Sequence, residues 1–387
     1  MLRTSTHFDI IIAGGGPAGS TAAYLLSKAG LNVLIIDKSK FPRKKLCGGL
    51  ITYSTVKLLE RVFDVTVDTL NQHDIIEYES DHYELYGKKR LITERSFEIP
   101  FRFIDREMYD NYLLQKAQQT GASLVEGDGV TSIDISKSSI KTRGGWDFTA
   151  DVIIGADGIN SRVRRSFPVD LFGREDWTEN VASAHEVIIS RDSVKKQIDH
   201  PVLYFGHVHH GYAWVFPNRD TVTAGICGLK QKTEKSMLSI FREFLNEKDL
   251  SDTGDERINS YVLPYGCYLP YPAFRNMVIV GDAAGFADPL LGEGIYYAQR
   301  SAELAAQAVL TLIEENKMFD QMEHYYVPLI KQHLLTEFEY AGRIRKAIFG
   351  YFSPIDFYLL GKIMNFYGDK LIEAIHGIRS YKWMKKI

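Results

Sequence analysis

The stretch Phe8-Asp-Ile-Ile-Ile-Ala-Gly-Gly-Gly-Pro-Ala-Gly19 decides the fold of this chain, because an apolar run ends directly in the pattern Gly-x-Gly-x-x-Gly. Residues 20–29 continue at helical spacing, and a second apolar run over 32–36 ends at Asp37. A strand, a glycine turn, a helix, a second strand and a carboxylate, in this order, form a dinucleotide-binding βαβ unit. We therefore predict an α/β fold that starts with a Rossmann-like domain.

Each glycine of the pattern has its own part in such a site. Gly14 would let the chain turn sharply out of the strand, Gly16 would let the backbone approach a pyrophosphate, and Gly19 would let helix and strand pack closely. The phosphates would lie at the helix N-terminus, where free N–H groups and the helix dipole favour anions. Asp37 stands roughly 20 residues on, as does the acid that binds a ribose diol in such units. The stretch alone fits NAD as well as FAD.

Composition narrows the partners and the location. The chain has 387 residues, of which 45% are hydrophobic and 25% charged, and its net charge is −3. Because no basic face is indicated, we expect no nucleic acid partner. Cys47, Cys227 and Cys267 show no zinc or disulfide spacing, so we expect a reducing, cytoplasmic location and no metal site. No apolar run reaches the roughly 18 residues of a spanning helix, and we expect no signal peptide.

Two later segments end buried strands in the same way as the first. One contains Gly155-Ala-Asp157-Gly158, and the other reads Gly281-Asp282-Ala-Ala-Gly-x-x-x-Pro289-x-x-Gly292-Glu-Gly294. Together with the glycine turn they resemble the superfamily of FAD-binding monooxygenases and reductases, which includes aromatic hydroxylases, flavin halogenases and geranylgeranyl reductases. The resemblance implies that FAD is the cofactor and that Arg106 contacts its phosphate or ribityl region. It also implies that Asp157 lies near the pyrophosphate and that Asp282 holds ribityl hydroxyls.

The third segment favours a flavin on physical grounds as well. Gly292-Glu-Gly294 opens a helix whose N-terminus would face the N1–C2=O edge of the flavin and stabilise the negative charge of its reduced form. A nicotinamide has no such edge. The two glycines would leave room for the flavin ring, with Pro289 and Ile295 beside it.

The chain crosses repeatedly between two domains in this interpretation. We assign residues 1–71, 105–177 and 275–315 to a discontinuous FAD-binding domain, residues 72–104 and 178–274 to an α+β substrate-binding domain with an antiparallel sheet, and residues 316–387 to a helical C-terminal region. Helical spacing predicts helices over 52–62 and 234–247. A further helix is predicted from the N-cap Asp105 to Gly121.

The run Tyr212-Ala-Trp214-Val-Phe216-Pro217 resembles the Tyr-x-Trp-x-Phe-Pro signature with which geranylgeranyl reductases line their prenyl pocket. In a strand the three aromatic side chains fall on one face. They form either a wall of the core or a flat apolar floor for a ligand, and beside the FAD motifs we favour the floor. The family's trailing glycines stand one residue apart, whereas here they are Gly225 and Gly228.

The segment Cys47-Gly48-Gly49 resembles the Cys-Gly-Gly segment of the same family, in which the cysteine lies near the flavin. The basic loop that precedes it, from Lys38 through Arg43 to Lys45, follows the ribose acid and so favours phosphate contact over a solvated charge run. A single cysteine is most often a small buried hydrophobe, but basic neighbours can make a thiol more acidic. A packing role and a catalytic or positioning role of Cys47 therefore both stay open.

The candidate site residues share a place in these segments. The predicted cofactor-binding residues are Gly14, Gly16, Pro17, Ala18, Gly19, Asp37, Lys38, Arg43, Cys47, Gly48, Arg106, Asp157, Gly158, Gly281, Asp282, Pro289, Gly292, Gly294 and Ile295. The predicted substrate-binding residues are Tyr212, Trp214, Phe216 and Pro217, and the candidate catalytic residue is Cys47.

The resemblance implies an FAD-dependent oxidoreductase that reduces carbon-carbon double bonds of an isoprenoid chain of the geranylgeranyl type, with hydride from N5 of the reduced flavin. The partner would be an apolar small molecule or a prenyl lipid, and the external electron donor, NADPH or ferredoxin, stays open. An isolated alkene offers no oxygen for the protein to polarise. Such a site therefore works by orientation and by exclusion of water.

Two other functions stay open. In a flavin-dependent monooxygenase or halogenase the reduced flavin meets O₂, and a halogenase also needs a lysine that faces its hypohalite tunnel. Lys88 and Lys89 are the nearest candidates, in a turn-like setting that favours solvent exposure. The third function is a non-catalytic prenyl-binding protein, since Rab escort and GDP-dissociation-inhibitor proteins share this architecture. The intact FAD motifs argue for bound flavin and against that function.

The tail from Phe349 to Ile387 is rich in aromatic residues, and from Gly361 onward it carries six Lys or Arg against Asp369 and Glu373. We favour helices that pack on the domain. A basic aromatic helix can also lie on an anionic membrane surface, which would suit a lipid substrate. Peripheral membrane contact of this tail is therefore a second expectation.

Overall fold

The computed structural model of the protein describes residues 6–168, 171, 174–208, 210–229, 236–251, 257–351 and 367–386. Its strands are β1 (Thr6–Ala13), β2 (Val33–Asp37), β3 (Leu50–Ile51), β4 (Ile76–Gly87), β5 (Arg90–Ile104), β6 (Ser123–Glu126), β7 (Val130–Asp134), β8 (Ser139–Thr142), β9 (Asp147–Gly155), β10 (Val181–Ser190), β11 (Val202–Phe205), β12 (Gly211–Pro217), β13 (Thr221–Leu229), β14 (Asn259–Pro264), β15 (Ala273–Phe274) and β16 (Met277–Ile279). Its α-helices are α1 (Pro17–Lys28), α2 (Tyr53–Phe63), α3 (Val67–Gln72), α4 (Arg106–Gln119), α5 (Arg162–Ser166), α6 (Arg174–Glu179), α7 (Met237–Glu247), α8 (Ile295–Glu314), α9 (Met322–Ile330) and α10 (Thr336–Tyr351). Residues 367–375 are helical as well.

The first sheet confirms the Rossmann-like fold. Its strand order is β15-β16-β9-β1-β2-β6, with β8 paired to β9 and β7 paired to β8. β1 runs parallel to both β2 and β9. Residues 10–13 of β1 and 33–36 of β2 are buried, which is typical of parallel strands covered on both faces. The glycine turn therefore leaves the centre of this sheet.

The second sheet has the order β14-β10-β13-β12-β11-β4-β5-β3, and its neighbours are antiparallel except for the parallel pair β4 and β11. One face is covered by α7, whose Phe241 and Phe244 pack in a cluster with Val187 and Val215. The opposite face carries the aromatic residues of β12. β3, from the predicted segment 1–71, pairs with β5 in this sheet, and the domain boundaries themselves remain a prediction.

The helix predicted after Asp105 is confirmed. Asp105 caps α4 by accepting hydrogen bonds from the N–H groups of Glu107 at 2.6 Å and Met108 at 3.3 Å. The face of α4 that carries Tyr109, Leu113 and Ala117 is buried. α2 and α7 also lie where helical spacing predicts helices.

The described part of the C-terminal region is helical and packs on the domain, as we favoured. Ile372 lies in a cluster with Tyr83, Phe101 and Phe103 of the second sheet, and His376 stacks on Phe97 with ring centroids 5.6 Å apart. The tail aromatics at 352–366 lie outside the described residues. Within the part of the chain that is described, no helix is both long and apolar enough to cross a membrane.

Candidate active site

One continuous cavity of about 1090 Å³ runs from the glycine turn, past Cys47, to the aromatic residues of β12. Its walls come from both sheets, from the loop over residues 288–294 and from the C-terminal residues between 372 and 381. Drug-sized ligands occupy pockets of roughly 300 to 1,000 Å³. The cavity can therefore hold a large ligand or two ligands in contact.

The glycine turn presents backbone and positive charge to the cavity. At Gly14, where φ is +104°, a Cβ would lie 2.3 Å from the carbonyl oxygen of Ala156, so only glycine fits. Gly16 is the N-cap residue of α1, and the first turn of this helix has no acidic residue. The Nη2 atom of Arg43 would lie 3.4 Å from a Cβ at Gly16. Helix N–H groups beside a guanidinium form a site for an anion such as a pyrophosphate.

Asp37 fixes the glycine turn from the end of β2. Its Oδ2 accepts a hydrogen bond from the N–H of Gly15 at 2.7 Å, and its Oδ1 accepts one from the N–H of Ser39 at 2.8 Å. The carboxylate also lines the cavity. Each carboxylate oxygen has a second lone pair, so Asp37 can still accept hydrogen bonds from a ribose diol.

Asp110 of α4 joins two arginines beside Cys47. Its buried carboxylate accepts two hydrogen bonds of 2.9 Å from Arg106 and pairs with Arg43 at 3.1 Å. Burial by itself lowers the pKa of Arg106, but Asp110 and Cys47 outweigh it and raise that pKa above its ordinary value. Arg106 therefore stays charged and brings a fixed positive charge to the cavity wall.

Asp157 and Asp282 line the cavity just after β9 and β16. The Oδ2 of Asp157 accepts a hydrogen bond from the N–H of Arg162 at 2.6 Å, whereas its Oδ1 is buried and has no hydrogen-bond partner among the described residues. Burial raises the pKa of both carboxyl groups. Because a buried polar atom without a partner is unfavourable, this part of the cavity fits a ligand that carries hydroxyl groups.

The loop over residues 288–294 is braced against the cavity. The Oδ1 of Asp288 accepts hydrogen bonds from the N–H groups of Leu290 at 2.7 Å and Leu291 at 2.8 Å. The Tyr265 hydroxyl donates to the Leu290 carbonyl at 2.6 Å, and the Tyr212 hydroxyl donates to the Leu291 carbonyl. These bonds hold the backbone of the loop in one shape and tie it to the second sheet.

α8 begins where this loop ends. Gly294 is its N-cap residue, and its first turn has no acidic residue. Glu293, just before it, accepts a hydrogen bond from the N–H of Tyr296 at 2.7 Å. Burial raises the pKa of Glu293 to about 8, and Asp288 adds to the shift. The Glu293 carboxyl is therefore protonated at neutral pH, and the helix N-terminus remains favourable for an anion.

The aromatic floor consists of Tyr212, Trp214 and Phe216 on one face of β12. Consecutive ring centroids are 5.9 and 6.2 Å apart, and all three residues line the cavity. Gly225 stands opposite Trp214 on β13, and a Cβ there would lie 2.2 Å from Cζ2 of the Trp214 ring. The absence of a side chain at Gly225 thus lets this ring lie across the neighbouring strand.

A close approach of two backbones explains the glycine at position 211, which faces the second trailing glycine. Gly228 stands opposite Gly211 in the pairing of β12 with β13. A Cβ at Gly211 would lie 2.6 Å from the Cα of Gly228 and 2.0 Å from the carbonyl oxygen of Cys227. The two backbones approach too closely here for a side chain at Gly211.

Cys47 lies where the nucleotide end of the cavity meets the aromatic floor. It is half-buried and lines the cavity, and its Sγ accepts a hydrogen bond from the N–H of Gly49 at 3.5 Å. A Cβ at Gly48 would lie 2.9 Å from the Phe216 ring and 3.4 Å from Nε1 of Trp214. Gly48 therefore lets the cysteine segment lie against the floor.

Comparisons with known proteins identify the family. Residues 7–316 match the FAD binding domain family. The chain is 33% identical to an uncharacterized protein of Methanosarcina barkeri over 321 residues, which cover 81% of this chain and 77% of that one. It is 30% identical to the geranylgeranyl diphosphate reductase of Rhodobacter capsulatus over 334 residues, which cover 81% of this chain and 78% of that one. This chain belongs to the geranylgeranyl reductase family of FAD-dependent oxidoreductases.

Solved structures show the same fold. A geranylgeranyl bacteriochlorophyll reductase-like protein of Thermoplasma acidophilum has a TM-score of 0.81 at 23% identity, and the match covers 93% of this chain and 92% of that one. The halogenase PltM, in complex with phloroglucinol and FAD, has a TM-score of 0.75 at 18% identity, with 96% and 83% covered. Reductases and halogenases thus share the fold of this geranylgeranyl reductase homologue.

The cavity of this family member fits FAD, which is its cofactor. The α1 N-terminus with Arg43 matches the charge of a pyrophosphate, and Asp37 can bind the ribose of the adenosine. The unpartnered oxygen of Asp157 calls for a hydrogen-bond donor. The α8 N-terminus at Gly294 can face the isoalloxazine edge.

Most of the predicted site residues come together in this cavity. Those that line it are Gly14, Gly16, Pro17, Ala18, Asp37, Lys38, Arg43, Cys47, Gly48, Arg106, Asp157, Gly158, Asp282, Gly292, Gly294, Ile295, Tyr212, Trp214 and Phe216. The residues that stand behind the wall are Gly19, Gly281, Pro289 and Pro217. Gly19 serves the turn itself, because a Cβ there would lie 1.8 Å from the Gly14 carbonyl oxygen.

Sequence reasoning missed several residues of the cavity. Tyr261 lines it beside Lys45, a residue of the basic loop that was expected at the phosphates, and Glu186 lies next to both. Ile372 and Tyr381 of the tail form part of its wall. The signal for Glu186 is an acidic residue directly before the apolar run 187–189 of a predicted strand.

The lysines considered for a halogenase tunnel do not reach the cavity. Lys88 and Lys89 are exposed at the turn between β4 and β5. Lys45 does line the cavity, and its Nζ lies 5.8 Å from the centroid of the Tyr261 ring. The solvent exposure predicted for Lys88 and Lys89 is therefore confirmed, and neither faces the cavity.

A cluster of His82, Glu84 and His200 brings three ligand-type atoms within 4.8 Å of one another. His82 already pairs with Glu94 at 3.3 Å, and His200 pairs with Glu84 at 3.1 Å. The two histidines of this cluster are therefore already engaged in two imidazole–carboxylate pairs on the second sheet.

Proposed function

We propose that this protein reduces carbon-carbon double bonds in an isoprenoid chain, with FAD as the carrier of the electrons. The observation that carries the proposal is the cavity itself, in which an anion-binding dinucleotide cradle continues into the aromatic floor. The relative in Rhodobacter capsulatus is a geranylgeranyl diphosphate reductase, and this supports a substrate of the same chemical class. NADPH or ferredoxin remain the proposed external donors.

Bound FAD would supply the hydride for the reaction. The protein's own part is to bind, to orient and to exclude water. In our proposal the prenyl chain lies along the aromatic floor, because three consecutive aromatic rings on one face of a strand offer a continuous apolar surface to an extended hydrocarbon. Tyr212 also links floor and cofactor loop through its hydrogen bond to Leu291. The aromatic floor and the loop over residues 288–294 therefore keep a fixed distance, which positions the substrate's double bond relative to the flavin.

The aromatic floor is tested by Trp214→Ala. We expect FAD to remain bound, because Trp214 lies away from the nucleotide cradle, and we expect reduction of geranylgeranyl diphosphate to fall by at least tenfold. The FAD absorbance spectrum and the product mass measure the two properties on one sample. Phe274→Ala, at an aromatic residue outside the cavity lining, is the control. Unchanged turnover in Trp214→Ala with bound FAD would contradict the assignment of the aromatic floor as the substrate-binding surface.

A second candidate function is oxygen-dependent halogenation or hydroxylation. One observation favours it: Lys45 lines the cavity beside Tyr261, and a halogenase needs a lysine that faces its substrate. Product that forms only when O₂ and halide are present, and that disappears in Lys45→Met, would establish this function. Reduction of the alkene under strictly anaerobic conditions would exclude it.

We also propose that the substrate is taken from a membrane surface. The contact would be made by the basic, aromatic tail over residues 349–387, of which 352–366 lie outside the described ranges. Co-sedimentation with anionic vesicles, compared between the full chain and a variant with Phe357 and Tyr358 changed to serine, tests it. Equal binding of both proteins would contradict membrane contact through this segment.

A further inference from the structure

Glu186 is a buried acid with no part in the proposed binding of FAD or of the prenyl chain. It lies in the middle of β10, is 1% exposed, and its Oε2 atom has no hydrogen-bond partner within the described part of the chain. A buried glutamate that served packing alone would be expected to have both oxygens satisfied. The unpartnered oxygen therefore points to a functional role.

The strand register places Glu186 on the cavity side of the second sheet. Glu186 stands opposite Gly225, which in turn stands opposite Trp214. Residues directly opposite each other in antiparallel strands point to the same face. Glu186 and Trp214 therefore share the face that carries the aromatic floor, with only the bare backbone of Gly225 between them.

Tyr261 stands between Glu186 and the cavity. Tyr261 of β14 pairs with Ala184 of β10, so its side chain is on the same face as that of Glu186, two residues further along. Its hydroxyl is among the groups near enough to Glu186 to lower the pKa of that carboxyl, and its side chain lines the cavity. Glu186 is not among the lining residues. Glu186 and Tyr261 thus form a two-residue path from the interior of the sheet to the cavity.

The charged and polar groups around Glu186 come from three sides. Lys45 and the Cys47 backbone N–H approach from the cysteine segment, Arg106 from α4, and the Tyr261 hydroxyl from β14. Burial raises the pKa of Glu186 to about 7, although all four groups lower it. Burial also holds the pKa of Tyr261 well above its ordinary value, with Glu186 adding to this. At neutral pH the carboxyl can both keep and release a proton, while the hydroxyl stays neutral.

We propose that Glu186 and Tyr261 deliver the proton of the reduction. This inference rests on the proposed alkene reduction. One alkene carbon gains a hydride, whose two electrons come from the flavin and in turn from a reduced nicotinamide or ferredoxin. The other carbon gains a proton from the Tyr261 hydroxyl. The π bond breaks and two C–H bonds form; the Glu186 proton moves to the Tyr261 oxygen, and the carboxylate regains a proton from solvent.

The assignment differs from the one that the sequence suggests for Cys47. The contact of Cys47 with Glu186 runs through its backbone N–H, which is not a path for proton transfer to the substrate. The thiol therefore has no part in the proposed proton path, and the hydroxyl of Tyr261 is the catalytic donor.

The test compares Glu186→Gln, Tyr261→Phe and Cys47→Ala with the wild type, all loaded with FAD. We expect alkene reduction in the wild type to fall as pH rises through about 7, because the protonated carboxyl is the active form. Glu186→Gln and Tyr261→Phe should each lose at least tenfold in rate, and Glu186→Gln should lose the pH transition. Equal rates in both variants and the wild type, with a large loss in Cys47→Ala, would overturn the proposal in favour of the thiol.

A second readout does not depend on activity. A carboxyl whose pKa is raised on folding stabilises the protein at low pH, and this stabilisation is lost as pH rises through the folded-state pKa. Between pH 5 and 8 the Tm of the wild type should therefore fall relative to that of Glu186→Gln. His185→Gln is the matched control, because His185 is the neighbouring buried residue that bonds Ser260, and it should keep the pH transition in rate. A constant Tm difference would show that Glu186 does not titrate in this range.

The outcomes separate this inference from the proposed function. A wild type that reduces no alkene at any pH removes the proposed function, whatever Glu186 does. A wild type that reduces the alkene with a rate that neither variant changes removes only the proton path.

Discussion

Single glycines decide where the large side chains of the site can lie. Gly225 leaves space for the Trp214 ring, and Gly48 leaves space for Phe216. The motif residues of the cofactor cradle could be predicted, because each one acts through the backbone next to it. The need for glycine at position 225 could not be predicted, because the Trp214 ring that it accommodates lies on the neighbouring strand. Neither segment alone determines how β12 pairs with β13.

Gly225→Ala tests this packing. The added Cβ would overlap the Trp214 ring, at 2.2 Å from Cζ2, so we expect a loss of stability of about 1 to 3 kcal/mol and weaker substrate reduction with FAD retained. Urea unfolding measures the first effect. In a Trp214→Ala background the same change should cost much less. An equal cost in both backgrounds would show that the two residues do not interact.

Glu293 is predicted to tune the flavin. Its carboxyl is neutral below its pKa of about 8, and above that pH a negative charge stands at the start of α8. Above pH 8 we expect the midpoint potential of bound FAD to fall by ~30 mV more in the wild type than in Glu293→Gln. For two electrons this difference corresponds to ~1.4 kcal/mol. Potentiometric titration of Glu293→Gln should show no such break. Identical pH profiles would place Glu293 away from the reduced ring.

Elements from distant parts of the chain close the cavity. The Rossmann unit was predictable from a local pattern, and so was α4, because cap, buried face and terminating glycine all lie within about one helix length. The docking of the tail helix was not. The apolar residues of the tail helix could pack on many apolar surfaces. Only the folded second sheet determines that Ile372 packs beside Tyr83 and Phe101.

The docking of the tail should depend on pH through His376. Its Nδ1 accepts a hydrogen bond from the N–H of Tyr53 at 3.3 Å, and burial lowers its pKa to about 4, with Arg102 adding to the shift. A histidine with a lowered pKa favours the folded state above its ordinary pKa of 6.5, and this contribution is lost as pH falls towards 4. Acidification should therefore release the tail.

Hydrogen exchange over residues 367–386 measures this release. Protection of the segment should decrease between pH 6.5 and 4 relative to that of α4, after correction for the intrinsic exchange rate. In His376→Gln, which cannot take up the proton, protection should depend less on pH. A decrease of the same size in both proteins would assign the effect to other groups.

In the whole molecule, the two sheets contribute different parts of the cavity. The first sheet and its helices supply the cradle for FAD, and the second supplies the aromatic floor and, in our proposal, the proton path. The cofactor could be predicted from the sequence because its cradle consists of three contiguous motifs. The wall that joins Glu186, Tyr261 and Cys47 could not, because it arises from three segments that meet only when the second sheet has formed.

Alkene reduction by bound flavin is tested most directly by a single turnover without oxygen. FAD-loaded protein is reduced with one equivalent of dithionite and mixed anaerobically with geranylgeranyl diphosphate. If the protein reduces the alkene, the oxidised flavin absorbance returns and the product gains two hydrogen atoms for each flavin reoxidised. A flavin that stays reduced until O₂ is admitted, with the substrate mass unchanged, would contradict it.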